Sequence, residues 1–374
     1  MPAAVWRREW ERFLATPRLW VLVVLAPLLL ALLVLWIFSQ RTPLSLPVLL
    51  ADYDHTVTSR TLARQLQATP SLDVRPVMPD MVEAASRIRR GEAYGVIVIP
   101  PDLERALLRS EVPVVSFYYN RQMLTASNMM VRDVRTVVAT LGASIGLERG
   151  IAPAVLMDVH PAFNPGMDYT RFLALPLILA ILHIAIVVVA VDVTGRELRE
   201  GTAGAWLTSA RGHVITALAG KLLPYGLWFV LFGLGFLALS LRWLGISFNG
   251  SVWLWAAGWV ALVFACLGLG ALLVVLTGNL RMATSIASLL VSPAFAFAGL
   301  TFPTAFMPAF AEFWAQLLPL THGLAAHVQQ SAMAAPAEVT LRHLLSLAPF
   351  VLLPLLLRQR WRRLMTDPAC WGAV

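Results

Sequence analysis

The chain has 374 residues, 58% of them hydrophobic and 13% charged, with a mean hydropathy of +0.72. Soluble domains carry roughly 25% charged residues, so this composition excludes an ordinary soluble protein and points to an integral membrane protein. The formal net charge is +8, but every basic residue except Lys221 is arginine, and the basic residues gather at the ends of apolar runs. They read as orientation signals rather than as a nucleic-acid surface.

Near the N-terminus, Trp6, Trp10, Phe13 and Leu14 recur at helical spacing, with Arg7, Arg8, Glu9, Glu11 and Arg12 on the other face. This predicts a short amphipathic helix lying in the cytoplasmic interface of a membrane. Residues 19–38 then supply the roughly 20 apolar residues that a spanning helix needs. No small-residue cleavage site follows, so the run is expected to stay as an uncleaved first span.

Residues 41–165 have soluble composition. "LPVLLADYD", "LDVRPV", "YGVIVIP" and "VPVVSFYY" read as strands, separated by the amphipathic helices "SRTLARQLQAT" and "MVEAASRIRRGEA". The alternation predicts an inserted α/β domain with a partly parallel sheet, followed by a long helix over 122–148. Asp52 and Asp54 end the first strand, where α/β domains often bind ligands. With Thr56, Thr58 and Ser59 next to them, they read more simply as turn and helix caps. "GASIG" at 142–146 matches G-x-S-x-G, a motif that works on a sharp strand-to-helix turn. Here it falls late in a helical pattern, so Ser144 reads as packing.

Five further apolar runs, 172–191, 222–241, 252–276, 283–300 and 344–357, bring the expected spans to six. Residues 41–165 hold 13 arginines accompanied by 12 acidic residues, and long domains cross largely regardless of charge; elsewhere arginines concentrate in the N-tail, 192–221, 277–282 and the C-tail, which places both termini in the cytoplasm. His183 lies within the second span, where an ionisable residue is a pathway candidate by default, although a neutral histidine hydrogen-bonded between helices is the favoured reading. Ala257, Ala261 and Ala265 form a small-residue stripe suited to helix packing. Ser285, Ser288 and Ser292 share one face of the fifth span, either as a helix contact or as a polar lining, with Pro293 as a kink. The run 302–336 is apolar but broken by Pro303, Pro308 and Pro319. The piece between Pro308 and Leu318 would be about 16 Å long as a helix, against a hydrocarbon core of about 30 Å. It is expected to dip in and return as a re-entrant segment. Pro303, Pro308 and His322 are therefore gate candidates.

There is no phosphate-cradling G-x-x-x-x-G-K-[ST] around Lys221, no H-E-x-x-H, and His322 and His327 are badly spaced to share a metal on a helix. Cys266 and Cys370 form no zinc pattern. Neither a catalytic site, a cofactor site nor a metal site is expected.

These pieces in this order resemble the permease subunits of type-2 ABC exporters, in the subgroup similar to bacterial multidrug permeases with a large extracytoplasmic domain. The resemblance covers nearly the whole chain. "REWERFLATPRLWVLVVLAP" resembles the elbow helix and first span, and "LADYDHTVTSRTLARQL" the start of the outer domain. "FNPGMDYTRFLALP" resembles the approach to the second span, and "FPTAFMPAFAEFWAQLLPLTH" the re-entrant segment. "GRELREGTAGAWLTS" resembles the cytoplasmic signature, although Ser209 and Ala210 follow the threonine where the family usually has proline. The resemblance implies that Glu197, Arg199, Glu200, Gly201 and Thr202 couple the permease to a separate ABC ATP-binding subunit, which would carry ATP and Mg. It further implies a second permease, as a homodimer or heterodimer, in the bacterial inner membrane. A periplasmic adaptor is a further candidate partner for the outer domain, and nucleic acid is not expected. The rival readings are a membrane-anchored receptor or signalling protein, and a membrane enzyme built on Asp52 and Asp54.

Overall fold

The computed structural model describes residues 3–39, 44–76, 81–109, 111–120, 124–148, 168–242 and 248–372. The chain divides into two units, one of Met1–Ser39 with Tyr169–Val374 and the other of Gln40–Asp168. The sequence motif around Asn164 and Pro165 lies outside the described residues.

The first unit is helical. Among the described residues, five of its helices are long and apolar enough to cross a membrane: Pro17–Ile37, Thr170–Arg199, Val214–Arg242, Val252–Thr277 and Ala337–Leu356. The second and fourth are 61% and 67% buried over their apolar windows, whereas the other three are between 17% and 22% buried. The second and fourth therefore form the centre, and the others turn broad apolar faces outward. On the first span Leu29, Leu32, Leu33 and Trp36 are exposed, a continuous apolar surface that suits lipid.

Glycine brings the central helices together. A Cβ on Gly268 would lie 2.2 Å from the Phe350 carbonyl oxygen of the last span, and one on Gly270 would lie 2.5 Å from Ala190 Cβ of the second. The small-residue contact thus runs through Gly268 and Gly270. Of the alanine stripe, Ala265 is buried but Ala257 is exposed.

The expected fifth span over 283–300 is not one helix. A helix covers Leu280–Val291, capped by the Asn279 side chain, and a four-residue helix follows at Ala294–Phe297. Pro293 has no N–H to donate and its ring clashes with the preceding turn, so the helix breaks there. Twelve residues reach only about 18 Å. Downstream, helices cover Ala309–Gln316 and Pro319–Val328, with Pro303 and Pro308 at the starts of a short turn and of the first of these. The second packs on the second, fourth and last spans.

The Gln40–Asp168 unit is built on a four-stranded sheet: β1 Leu46–Asp52, β2 Leu72–Pro76, β3 Gly95–Ile99 and β4 Ser116–Tyr119, in the order β2-β1-β3-β4. β1 pairs in parallel with β2 and β3, and β4 is antiparallel to β3. Val48 and Leu50 face one core with Leu62, Leu66 and Met130, whereas Leu49 and Ala51 face another with Ala84 and Val96. A parallel strand covered on both faces reads as a continuous apolar run, which is why "PVLLA" has no polar alternation.

Candidate functional site

The stretch 192–221, expected from the sequence as a coupling loop, is mostly helical. The second span continues as helix to Arg199, a turn follows, a short helix covers Ala203–Ser209, and the third span starts at Val214. Gly201 permits the turn with φ +69°, a left-handed value that favours glycine.

This turn is fastened from beneath by buried charges. Glu197 is fully buried. Its carboxylate accepts from Arg8 at 2.9 Å, from Arg12, from the Thr202 hydroxyl and from Lys221 Nζ at 2.9 Å. Lys221 is also fully buried and donates to Glu9 as well. Arg12 extends to Glu200 at 3.2 Å. Three cations and three carboxylates thus balance, and they join the N-terminal helix Ala3–Ala15, the end of the second span and the start of the third. Buried charges persist only when paired in this way.

Two expectations are corrected here. Glu197 was expected to present itself to a partner subunit, yet it has no exposed surface and acts on the turn from inside. Glu9 was placed on the outer polar face of the N-terminal helix, yet Val5, Glu9 and Phe13 form its buried face, while Trp10 and Leu14 are exposed. The helical spacing holds, but the buried face is rotated onto Glu9, because pairing with Lys221 offsets the cost of burying a carboxylate. Arg199, Glu200 and Gly201 are exposed and Thr202 is half-buried, so these positions form the outer side of the turn.

An aromatic layer holds the short helix. The Trp206 indole donates to the Ala217 carbonyl, meets Trp361 edge-on at 6.0 Å, and lies under Lys221 Nζ at 5.0 Å. Trp361 belongs to the helix Arg358–Thr366, whose buried residues Trp361, Leu364 and Met365 recur at helical spacing. The tail then crosses the turn: the Gly372 amide donates to the Leu198 carbonyl, and a Cβ on Gly204 would touch the Trp371 ring at 3.0 Å. Sequence reading missed Arg8, Glu9, Arg12, Lys221, Trp206 and Trp361 as a group. The available signal was the chain's single lysine, set between two apolar runs.

A cavity of about 580 Å³ lies beside this element, lined by the first span, the second span and the Leu280–Val291 helix. Its polar lining comprises Arg18, Asp192, Arg199, Arg281, Thr284 and Ser285. Asp192 pairs with Arg196 and with Arg18. Ser285 donates back to the Arg281 carbonyl, and Ser288 and Ser292 continue its exposed face.

The other pathway candidates are not gathered there. His183 is fully buried in the second span, with neither ring nitrogen hydrogen-bonded. His322 lies on the Pro319–Val328 helix, with Nε2 at 3.2 Å from the Gln316 carbonyl and its ring 5.8 Å from that of His343. His327 accepts from the Trp255 indole instead of sharing a site with His322.

The Asp52 and Asp54 carboxylates are occupied structurally. Asp52 accepts from the Asp54 and His55 amides and the Ser59 hydroxyl. Asp54 accepts from Thr56 and from the Glu104 amide, and Thr56 caps the helix Val57–Gln67. The Thr56 side chain beside it and the Thr58 amide, which donates to it at 3.3 Å, hold the Glu104 carboxyl below its usual range. Ser144 lies inside the helix Leu124–Glu148 and donates to the Leu141 carbonyl, with no strand-to-helix turn. Gly142 has open space rather than a close helix neighbour. Among the described residues no group of three or more His, Cys, Asp or Glu could hold a metal.

The family model described as ABC-2 family transporter protein matches residues 17–357. No curated protein and no solved structure matches the chain. The match takes in the end of the second span and the start of the third, which flank the charged turn, and all three helices that line the large cavity, and the chain belongs to the ABC-2 family, as a membrane permease subunit.

Proposed function

We propose that this permease is the membrane half of an ATP-driven exporter in the bacterial inner membrane, with both termini cytoplasmic. Two permeases pair, and each engages a separate ABC ATP-binding subunit that carries the ATP and Mg. The exposed turn Arg199–Thr202 and the short helix after it dock on that subunit. The observation that carries this reading is the buried network around Glu197. It ties the turn to three helices at once, so a push on the turn moves them together instead of being absorbed by a loop. The large cavity beside it, with the exposed Ser285, Ser288 and Ser292 face, forms part of the pathway for a hydrophobic or amphipathic substrate. The re-entrant segment, with Pro303, Pro308 and His322, closes the pathway on the far side, and His183 lies along it. The Gln40–Asp168 unit faces outward, where a periplasmic adaptor would meet it.

The test is affinity purification of the tagged chain from its native membranes. A P-loop ATPase should co-purify, the complex should hydrolyse ATP, and the chain alone should not. Substrate-stimulated transport by the chain free of any ATPase would overturn the reading.

A further inference from the structure

A second cavity, of about 80 Å³, lies between the N-terminal helix, the first span and the third span, and Glu9 is the charged residue among those that line it. Its walls include Trp10, Phe13, Trp20, Tyr225 and Trp228. Phe13 stacks obliquely on Trp20 at 4.7 Å and meets Tyr225 edge-on at 6.1 Å. The Trp228 indole N–H is already used, donating to the Val23 carbonyl. Two buried polar atoms of the lining are left over. Glu9 is 1% exposed, and its Oε2 has no partner; Tyr225 is 3% exposed, and its hydroxyl has none.

Buried polar atoms are rarely left unpaired, so these two atoms call for an occupant. One water could bridge them, but it would fill only a fraction of the space. A water occupies roughly 10–15 Å³ and needs two to four polar partners, and the remaining walls are apolar or aromatic, with only indole N–H groups to offer. The volume suits a body that is apolar except at one hydrogen-bond-donating end. A carboxylate surrounded by aromatic rings selects a cation for that end, because ring faces attract cations and a charged donor bonds a carboxylate more strongly than a neutral one. Glu9 is also the less compensated of the two carboxylates on Lys221. Glu197 has Arg8 and Arg12 besides, whereas Glu9 shares the lysine alone. Trp10 and Trp20 are 51% and 42% exposed, so the site adjoins the surface that an amphiphile would reach from the membrane interface.

We propose that this pocket binds the ammonium head of an amphiphile, with the nitrogen on Glu9 and Tyr225 and the adjoining methylenes against the tryptophans. The proposal is independent of the export reading, since it requires only that the chain sits in a membrane. A phosphatidylethanolamine headgroup and a free alkylamine share this chemistry.

The test uses the full chain purified in mild detergent. Quenching of tryptophan fluorescence is measured with bromododecylammonium and with bromododecanol. Lipid retention is measured by native mass spectrometry after exposure to equal amounts of phosphatidylethanolamine and phosphatidylglycerol. The ammonium probe should bind well ahead of the alcohol. Glu9→Gln should weaken it about tenfold, the scale of a charge-assisted hydrogen bond, and Trp10→Leu roughly threefold, the scale of a partly exposed cation–π contact. Trp10 is half-exposed, so its variant carries the test even if Glu9→Gln fails to fold. Selective retention of phosphatidylethanolamine identifies the lipid as the source; ammonium binding without it identifies a free amine. Equal binding of the alcohol and the amine, or undiminished amine binding by a folded Trp10→Leu chain, overturns the proposal.

Discussion

Lys221 Nζ lies 2.9 Å from Glu197 Oε1, across 24 positions of sequence, and both side chains are fully buried. Removing one partner of such a pair strands the other in a medium of low dielectric, a cost of about 3–5 kcal/mol. Glu197→Gln should therefore lower stability in detergent by about that amount. Lys221→Met should do the same, and the double variant should lose less than the sum of the two. Additive losses in equilibrium unfolding would show that the pair is not coupled.

The network was illegible in the sequence for a physical reason. Glu9, Glu197 and Lys221 come from three separate helices, and each alone looks like a solvated charge at the rim of an apolar run. Periodicity places a residue on a helix face but does not say which face is covered. Local signals fared better. The continuous apolar run of β1 announced a strand covered on both sides, and Thr56 capped the helix that its position suggested. Pro293 signals a kink in the sequence, but its consequence is larger, since the helix ends before it at a length too short to span.

Burial changes which positions test orientation. Ser71 is 5% exposed and its hydroxyl bonds Asp133, and Ala203 is fully buried, so cysteines there would be shielded from either side. Gln67 and Ala205 are exposed. In a background lacking Cys370, Gln67→Cys should react with an impermeant maleimide on intact cells. Ala205→Cys should react only after permeabilisation. Labelling of Ala205→Cys on intact cells would reverse the orientation.

The contact between the fourth and last spans leaves no room for a side chain at Gly268, where a Cβ would sit 2.2 Å from a backbone oxygen. A backbone atom cannot swing aside as a side-chain tip can, so the helices must separate. Overpacking of this kind costs typically 1–3 kcal/mol. Gly268→Ala should lower the melting temperature in detergent. Gly235→Ala, at a position with open space in the third span, should leave it unchanged or raise it slightly. Equal behaviour of the two variants would contradict the close packing.

The exposed side of the turn separates docking from folding. Arg199 and Glu200 lie 3.7 Å apart at the surface, each more than one-third exposed. Surface pairs contribute about 0–1 kcal/mol to stability, so Arg199→Glu should fold and insert as the parent chain does, and Glu200→Arg, which also loses the exposed 3.2 Å contact with Arg12, should still fold at a cost of about that size. Charge pairs across an interface couple by about 1.5 kcal/mol or more, roughly tenfold or more in binding. If this face docks an ATPase, each reversal should weaken ATPase capture about tenfold at equal membrane levels. Glu197→Gln serves as the contrast, since it acts from inside and should lose capture only together with stability. The measurements are pull-down of the ATPase and melting temperature on the same preparations. Full capture by both surface variants, with transport intact, would remove the docking role from this turn.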